Sequence, residues 1–108
     1  MNNILLDKSF NFALRVVKLS EYSNKEKQKY VLARKILDAG TNIGLFVEES
    51  QQGEDRKDFI QKLSLANKEA FKTHFVLRLL EKSGYLTESH AASMIDDCIE
   101  LKKLFVHP

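Results

Sequence analysis

Little in these 108 residues bends, cross-links or subdivides the chain. The only proline is Pro108, and the four glycines (Gly40, Gly44, Gly53, Gly84) are scattered. No Pro/Gly-rich linker, low-complexity stretch or internal repeat is evident, so a single domain over residues 1–108 is expected. One cysteine, Cys98, excludes an intramolecular disulfide. Set among Met94, Ile95, Ile99 and Leu101, it reads as a small buried apolar residue and not as a nucleophile. No stretch approaches the roughly 20 apolar residues of a membrane span, and the apolar run Ile4-Leu5-Leu6 is too short for a signal peptide. A soluble, cytoplasmic protein is expected.

Catalytic signatures are equally sparse. There is no Glu-x-x-His pair, which counts against a di-iron carboxylate bundle. His-Glu-x-x-His, Cys-x-x-Cys and a phosphate-cradling glycine loop are also missing. No metal site and no cofactor are therefore expected, and an enzyme is the least supported class. Of the three histidines, His90 falls in the first turn of a predicted helix and His107 is near the terminus. His74 lies on a polar line with Asn67 and Arg78, a pattern that suits an interhelical hydrogen-bonding seam better than an active site. Asp96-Asp97 has no partner at metal-ligand spacing and reads as a solvated face.

What the sequence does contain is helical rhythm. Phe59, Leu63, Ala66, Ala70, Thr73, Leu77 and Leu80 recur at alternating spacings of four and three, the seam of a long helix buried against others. The ends of four helices can be placed by their punctuation. The first is expected from Asp7, as cap, to about Tyr22; the second follows Ser23-Asn24-Lys25-Glu26, a capping-box pattern, and stops at Gly53. The third opens in acidic Glu54-Asp55, with Asp58 behind it, and closes at Ser83-Gly84. The fourth starts at Thr87-Glu88 and carries Ala91, Met94, Ile95, Cys98, Leu101 and Phe105 on one side. Short connections favour antiparallel neighbours, so the expected fold is all-α, an antiparallel up-down-up-down four-helix bundle.

Gly40 and Gly44 stand one turn apart on the apolar side of the second helix, each costing about 1 kcal/mol relative to alanine. Close approach of another helix would offset that cost, and the small residues Ala66, Ala70 and Thr73 of the third helix are the expected site; a kink near residues 40–44 is the alternative. Apolar coverage also exceeds what one bundle needs. In the first helix Phe10, Ala13, Leu14 and Val17 form one stripe, and Phe12, Val16 and Leu19 another. The third helix carries a second line, Ile60, Ser64, Asn67, Phe71, His74 and Arg78, with Phe75 and Val76 beyond it. Such breadth implies burial by further copies of the chain, a homo-oligomer.

Charge is unevenly distributed. The chain is only +2, but between residues 8 and 35 Lys8, Arg15, Lys18, Lys25, Lys27, Lys29, Arg34 and Lys35 face only Glu21 and Glu26, a local balance of +6. A positive surface of this kind can neutralise phosphates, and these eight residues are the candidate RNA- or DNA-binding set. Ordinary solvated helix faces would give the same composition. Lys8, Arg15 and Lys18 share one arc with Asn11 between them, without the interleaved exposed aromatics of a dedicated single-strand binder.

In order, Ala39-Gly40-Thr41-Asn42-Ile43-Gly44, Val47-Glu48-Glu49-Ser50, Lys57-Asp58-Phe59-Ile60-Gln61-Lys62-Leu63, Asn67-Lys68-Glu69-Ala70 and Leu77-Arg78-Leu79-Leu80 lead to Ser83-Gly84-Tyr85-Leu86. This series resembles the four-helix-bundle proteins encoded in intervening sequences of bacterial large-subunit ribosomal RNA genes, over nearly the whole chain. Leu45-Phe46, Lys72 and Val76 depart from that pattern. The group is similar to the accessory variability protein of diversity-generating retroelements, and the resemblance implies a barrel-shaped homopentamer without an established enzymatic activity. Two uses follow as expectations: a bundle that binds RNA or DNA, or an interaction scaffold docking a larger protein such as a reverse transcriptase. A small-molecule bundle is a third, and would require a polar pocket around Asn67, His74 and Arg78.

Overall fold

Four helices make up the regular structure in the computed structural model, which describes residues 3–21 and 27–106: α1 (Asn3–Glu21), α2 (Lys27–Ser50), α3 (Arg56–Lys82) and α4 (Glu88–Val106). The ends of α3 lie where local chemistry places them. Asp55 is extended, and its carboxylate accepts the Asp58 backbone N–H at 2.9 Å, which satisfies one of the free donors of the first turn. At the other end Gly84 takes φ +82°, a conformation that a side chain disfavours, and lets Tyr85 and Leu86 donate back to the Leu80 carbonyl. Thr87 opens α4 by accepting the His90 N–H through its hydroxyl, at 3.1 Å. Asp55→Ala is expected to cost about 1 kcal/mol, read as a lower thermal midpoint by circular dichroism.

The first helix starts earlier than its punctuation suggests. Asp7 is not its cap but an exposed residue inside α1, because Leu5, fully buried, shares a face with Ser9 and Phe12 and draws the preceding turn into the helix. The Ser23–Glu26 capping box, Lys25 and His107 lie outside the described residues.

Interhelical pairs fix the direction of each helix. Ser9 meets Gly44 and Val16 meets Gly40; Asn42 bonds Glu69 and Glu49 pairs with Lys62; Lys8 pairs with Glu100 and Arg15 with Asp97. In each set one number rises as the other falls, so these neighbours are antiparallel. Cys98 against Ala70, with Phe105 beside Leu63, extends the same rule to α3 and α4. The result is the up-down-up-down bundle, about 45 Å long and 21 by 18 Å across.

Its core is the expected seam. Leu63, Ala66, Ala70, Thr73, Leu77 and Leu80 are buried and Phe59 is half-buried against them. Phe12, Val16, Ile36, Ile43, Met94 and Leu101 fill the other sides. Two polar members are satisfied by backbone carbonyls: Thr73 donates its hydroxyl to Glu69 of its own helix at 2.8 Å, and the Cys98 thiol donates across to Ala70 of α3 at 3.1 Å. Burial pushes that thiol up to about 11, so Cys98 packs as a small apolar side chain and is not a nucleophile near neutral pH.

Two packing expectations need correction. Gly40 and Gly44 approach α1, not Ala66, Ala70 and Thr73 of α3. A Cβ at Gly40 would lie 2.6 Å from Val16 Cγ2, and one at Gly44 would lie 3.6 Å from the Ser9 carbonyl oxygen, while α2 runs unbroken through both. Val76 is buried on the α2 side of α3 and does not join Phe75 on the outside. One position along a helix turns a side chain by about 100°, enough to move it from surface to core.

Candidate nucleic-acid interface

The basic residues are divided by position and by partner. Lys8 and Arg15 lie on the side of α1 that meets α4. The Lys8 ammonium hydrogen-bonds the Glu100 carboxylate, an interaction that raises its pKa above the ordinary lysine value. Arg15 donates to Asp97 at 2.5 Å and to the Ser93 hydroxyl at 3.2 Å. Lys8, Arg15, Asp97 and Glu100, with Asn11, Phe12 and Leu101, line a shallow cleft of about 250 Å³. Their charges are largely neutralised within the bundle, so the arc of Lys8, Arg15 and Lys18 is not a uniform cationic stripe. Such exposed pairs are screened by solvent and add little to stability.

Lys18, Arg34 and Lys35 differ. All three are exposed, and among the described residues none has a carboxylate partner within ion-pair distance. The antiparallel arrangement brings the end of α1 and the start of α2 together, so Lys18, Arg34 and Lys35 gather toward one end of the bundle; Lys27 and Lys29 belong by sequence to the first turn of α2. The opposite end, where α2 gives way to α3, carries Glu48, Glu49, Glu54, Asp55 and Asp58 against Arg56, Lys57 and Lys62. Glu81 and Glu88 also lie at the first end and Lys8, Lys102 and Lys103 at the second, so the imbalance belongs to the α1–α2 and α2–α3 junctions and not to the whole long axis.

The polar line of α3 does not form a common pocket. Asn67 faces a depression of about 180 Å³ with Ile60, Leu63, Ser64 and Phe105, its Oδ1 buried without a hydrogen-bond partner. His74 lies two turns further on, its Nδ1 3.0 Å from Lys102 Nζ. Burial first, then the charges of Lys102 and Arg78, lower its pKa, so the ring is neutral at pH 7 and accepts from the ammonium. Arg78 turns to the Phe75 ring. No cluster of three or more His, Cys, Asp or Glu side chains that could hold a metal ion occurs among the described residues.

A sequence model of the 23S rRNA-intervening sequence proteins matches residues 1–107. The chain belongs to that family. It is also similar, at 38% identity and a TM-score of 0.91, to a Bacteroides thetaiotaomicron protein whose crystal structure, at 1.70 Å resolution, is described as a protein with unknown function from the S23 ribosomal protein family. The likeness covers 95% of each chain. Comparison with curated proteins gives no match.

In this family member two kinds of contact have no local sequence signal. Glu100, Asp97 and Ser93 hold Lys8 and Arg15 from across the bundle, at the far end of the sequence. The pairing of Lys102 with the Phe71 ring, at 4.1 Å from its centroid, joins α4 to the outer line of α3. Both follow from which faces the antiparallel packing sets side by side. No helix among the described residues is long and apolar enough to cross a membrane.

Proposed function

We propose that this member of the intervening-sequence family is a cytoplasmic, non-enzymatic homo-oligomer that binds RNA or DNA phosphates through the basic end of its bundle. The observation that carries the reading is the group of exposed cations Lys18, Arg34 and Lys35 at the junction of α1 and α2, which have no carboxylate partner among the described residues. Lys25, Lys27 and Lys29 belong to the same stretch of chain. Phosphate neutralisation by such groups releases counterions, which makes affinity fall steeply with salt and carries little base information. Lys8 and Arg15, held by α4, are assigned a secondary part. The outward apolar residues Phe10, Leu14 and Val17 on α1 and Leu45 on α2 support self-association, and the family resemblance points to a pentamer, which would multiply the basic end.

Charge reversal tests the assignment. In a gel-shift measurement at low and high salt, Lys18→Glu with Arg34→Glu and Lys35→Glu is expected to weaken binding to RNA and to duplex DNA at least about tenfold. It should also reduce the salt slope by about 3. Arg15→Glu alone should do less. Unchanged binding by the triple variant would remove the basic end from the interface. A wild-type protein that retains no RNA or DNA even at low salt would favour the scaffold reading instead, an accessory subunit that docks a larger protein over the same apolar residues.

A further inference from the structure

The outer face formed by α3 and α4 combines exposed aromatic rings with cations, a pairing that the basic end lacks. Phe71 is 60% exposed and Phe75 53% exposed. Their spacing of four residues places them one above the other, about 6 Å apart along the helix axis. Lys102 Nζ lies 4.1 Å from the Phe71 centroid and Arg78 Cζ 5.6 Å from that of Phe75. Lys68 is exposed one turn before Phe71 on the same side.

Few carboxylates accompany these cations: Glu81, one turn beyond Arg78, pairs with Lys82. Glu69 bonds Asn42 and Lys72 on the α2 side of α3, while Asp97 and Glu100 are held by Arg15 and Lys8 of α1. Asp96 is the one carboxylate of the stretch 94–106 not engaged with α1. His74, between the two rings, is neutral. A depression of about 290 Å³ bounded by Ile99, Lys102, Lys103 and Val106 continues the surface along α4.

We propose that the Phe71–Phe75 face is a contact for single-stranded nucleic acid, in which the two rings stack on splayed bases while Lys102, Arg78 and Lys68 take the adjoining phosphates. Aromatic rings interleaved with cations suit this ligand because every unpaired base offers a flat face beside a charged backbone; a duplex hides those faces in its own stack. A second copy of the chain fits less well. The cores of protein interfaces are depleted of lysine, whereas here Lys102 and Lys68 stand beside the rings. The proposal extends the nucleic-acid reading to a second surface that does not depend on Lys18, Arg34 and Lys35.

Phe71→Trp provides the test, since the chain contains no tryptophan and the new indole would be its only one. Titration with oligouridylate and with oligothymidylate is expected to quench its emission, and a duplex of equal length is expected not to. The two single strands separate RNA from DNA as the preferred source. Independently, Phe71→Ala with Phe75→Ala should lower single-strand affinity at least about tenfold and leave duplex affinity and native mass unchanged. Absence of quenching at saturating single strand overturns the proposal, as does equal loss of single-strand and duplex binding. A changed native mass for the double alanine variant would also overturn it, by assigning the face to subunit contact. Quenching that persists while the Lys18, Arg34 and Lys35 reversals have no effect would refute the basic end and leave this face standing; the converse pattern would do the opposite.

Discussion

Gly40→Val is expected to destabilise the bundle by about 3 kcal/mol, seen as a lower urea midpoint with an unchanged slope. The first atom added at Gly40 would already lie 2.6 Å from Val16 Cγ2, 3.0 Å from its Cγ1 and 3.1 Å from its Cβ. Val16 is fully buried and branched at Cβ, so it has little freedom to rotate aside. Gly40→Ala should already cost about 1–2 kcal/mol, after the roughly 1 kcal/mol gained in helix propensity. Gly44→Ala should have the opposite sign. Its Cβ would rest at ordinary contact distance, 3.6 Å from the Ser9 oxygen and 3.8 Å from the Ala13 Cβ, so the propensity gain of up to about 1 kcal/mol survives. Combining Gly40→Ala with Val16→Ala should restore part of the loss, a coupling of about 0.5–3 kcal/mol in a double-mutant cycle. A Gly40→Ala protein as stable as the parent would show that α1 and α2 are not held at this separation.

Phe12→Ala should be comparably severe, about 3–5 kcal/mol, because the ring is 2% exposed and its removal leaves a cavity where α1 meets the core. Against a total stability of about 5–15 kcal/mol for a domain of this size, the variant would be marginal at 37 °C. Phe10→Ala, two positions away on a side chain 57% exposed, should change the unfolding free energy of a dilute sample by less than about 0.5 kcal/mol. The pair thus separates the inner stripe of α1 from its outer one. Equal losses from both substitutions, measured by urea unfolding at low protein concentration, would contradict that division.

The same contrast shows what a one-dimensional pattern can carry. Spacing alone distinguishes Phe12, Val16 and Leu19 from Phe10, Leu14 and Val17, and it places every member of the Phe59–Leu80 seam inward, since a fixed 3.6-residue turn converts number into direction. Asp55, Gly84 and Thr87 are legible for a different reason: caps act within a few residues of themselves. Which neighbour a face meets is not local information. Gly40 and Gly44 were therefore correct as a close approach and misplaced as to partner, and Asp7 lost its capping role to Leu5, whose burial depends on the whole bundle. The candidate interface divides on the same line. Lys18, Arg34 and Lys35 are exposed as their helical positions suggest, whereas the neutralisation of Lys8 and Arg15 by Glu100 and Asp97 is created by the fold.

Those two ion pairs give the seam between first and last helices more opposed charge than its neighbours; the α2–α3 seam has one such pair, Glu49 with Lys62. Elsewhere neighbouring helices are joined mainly by packed hydrocarbon, which dissolved salt does not weaken. Between α1 and α4 part of the closure is a clasp of opposite charges near the surface, and mobile ions screen it. The first and last helices are thus fastened in part by an ionic latch, and its grip loosens as ionic strength rises.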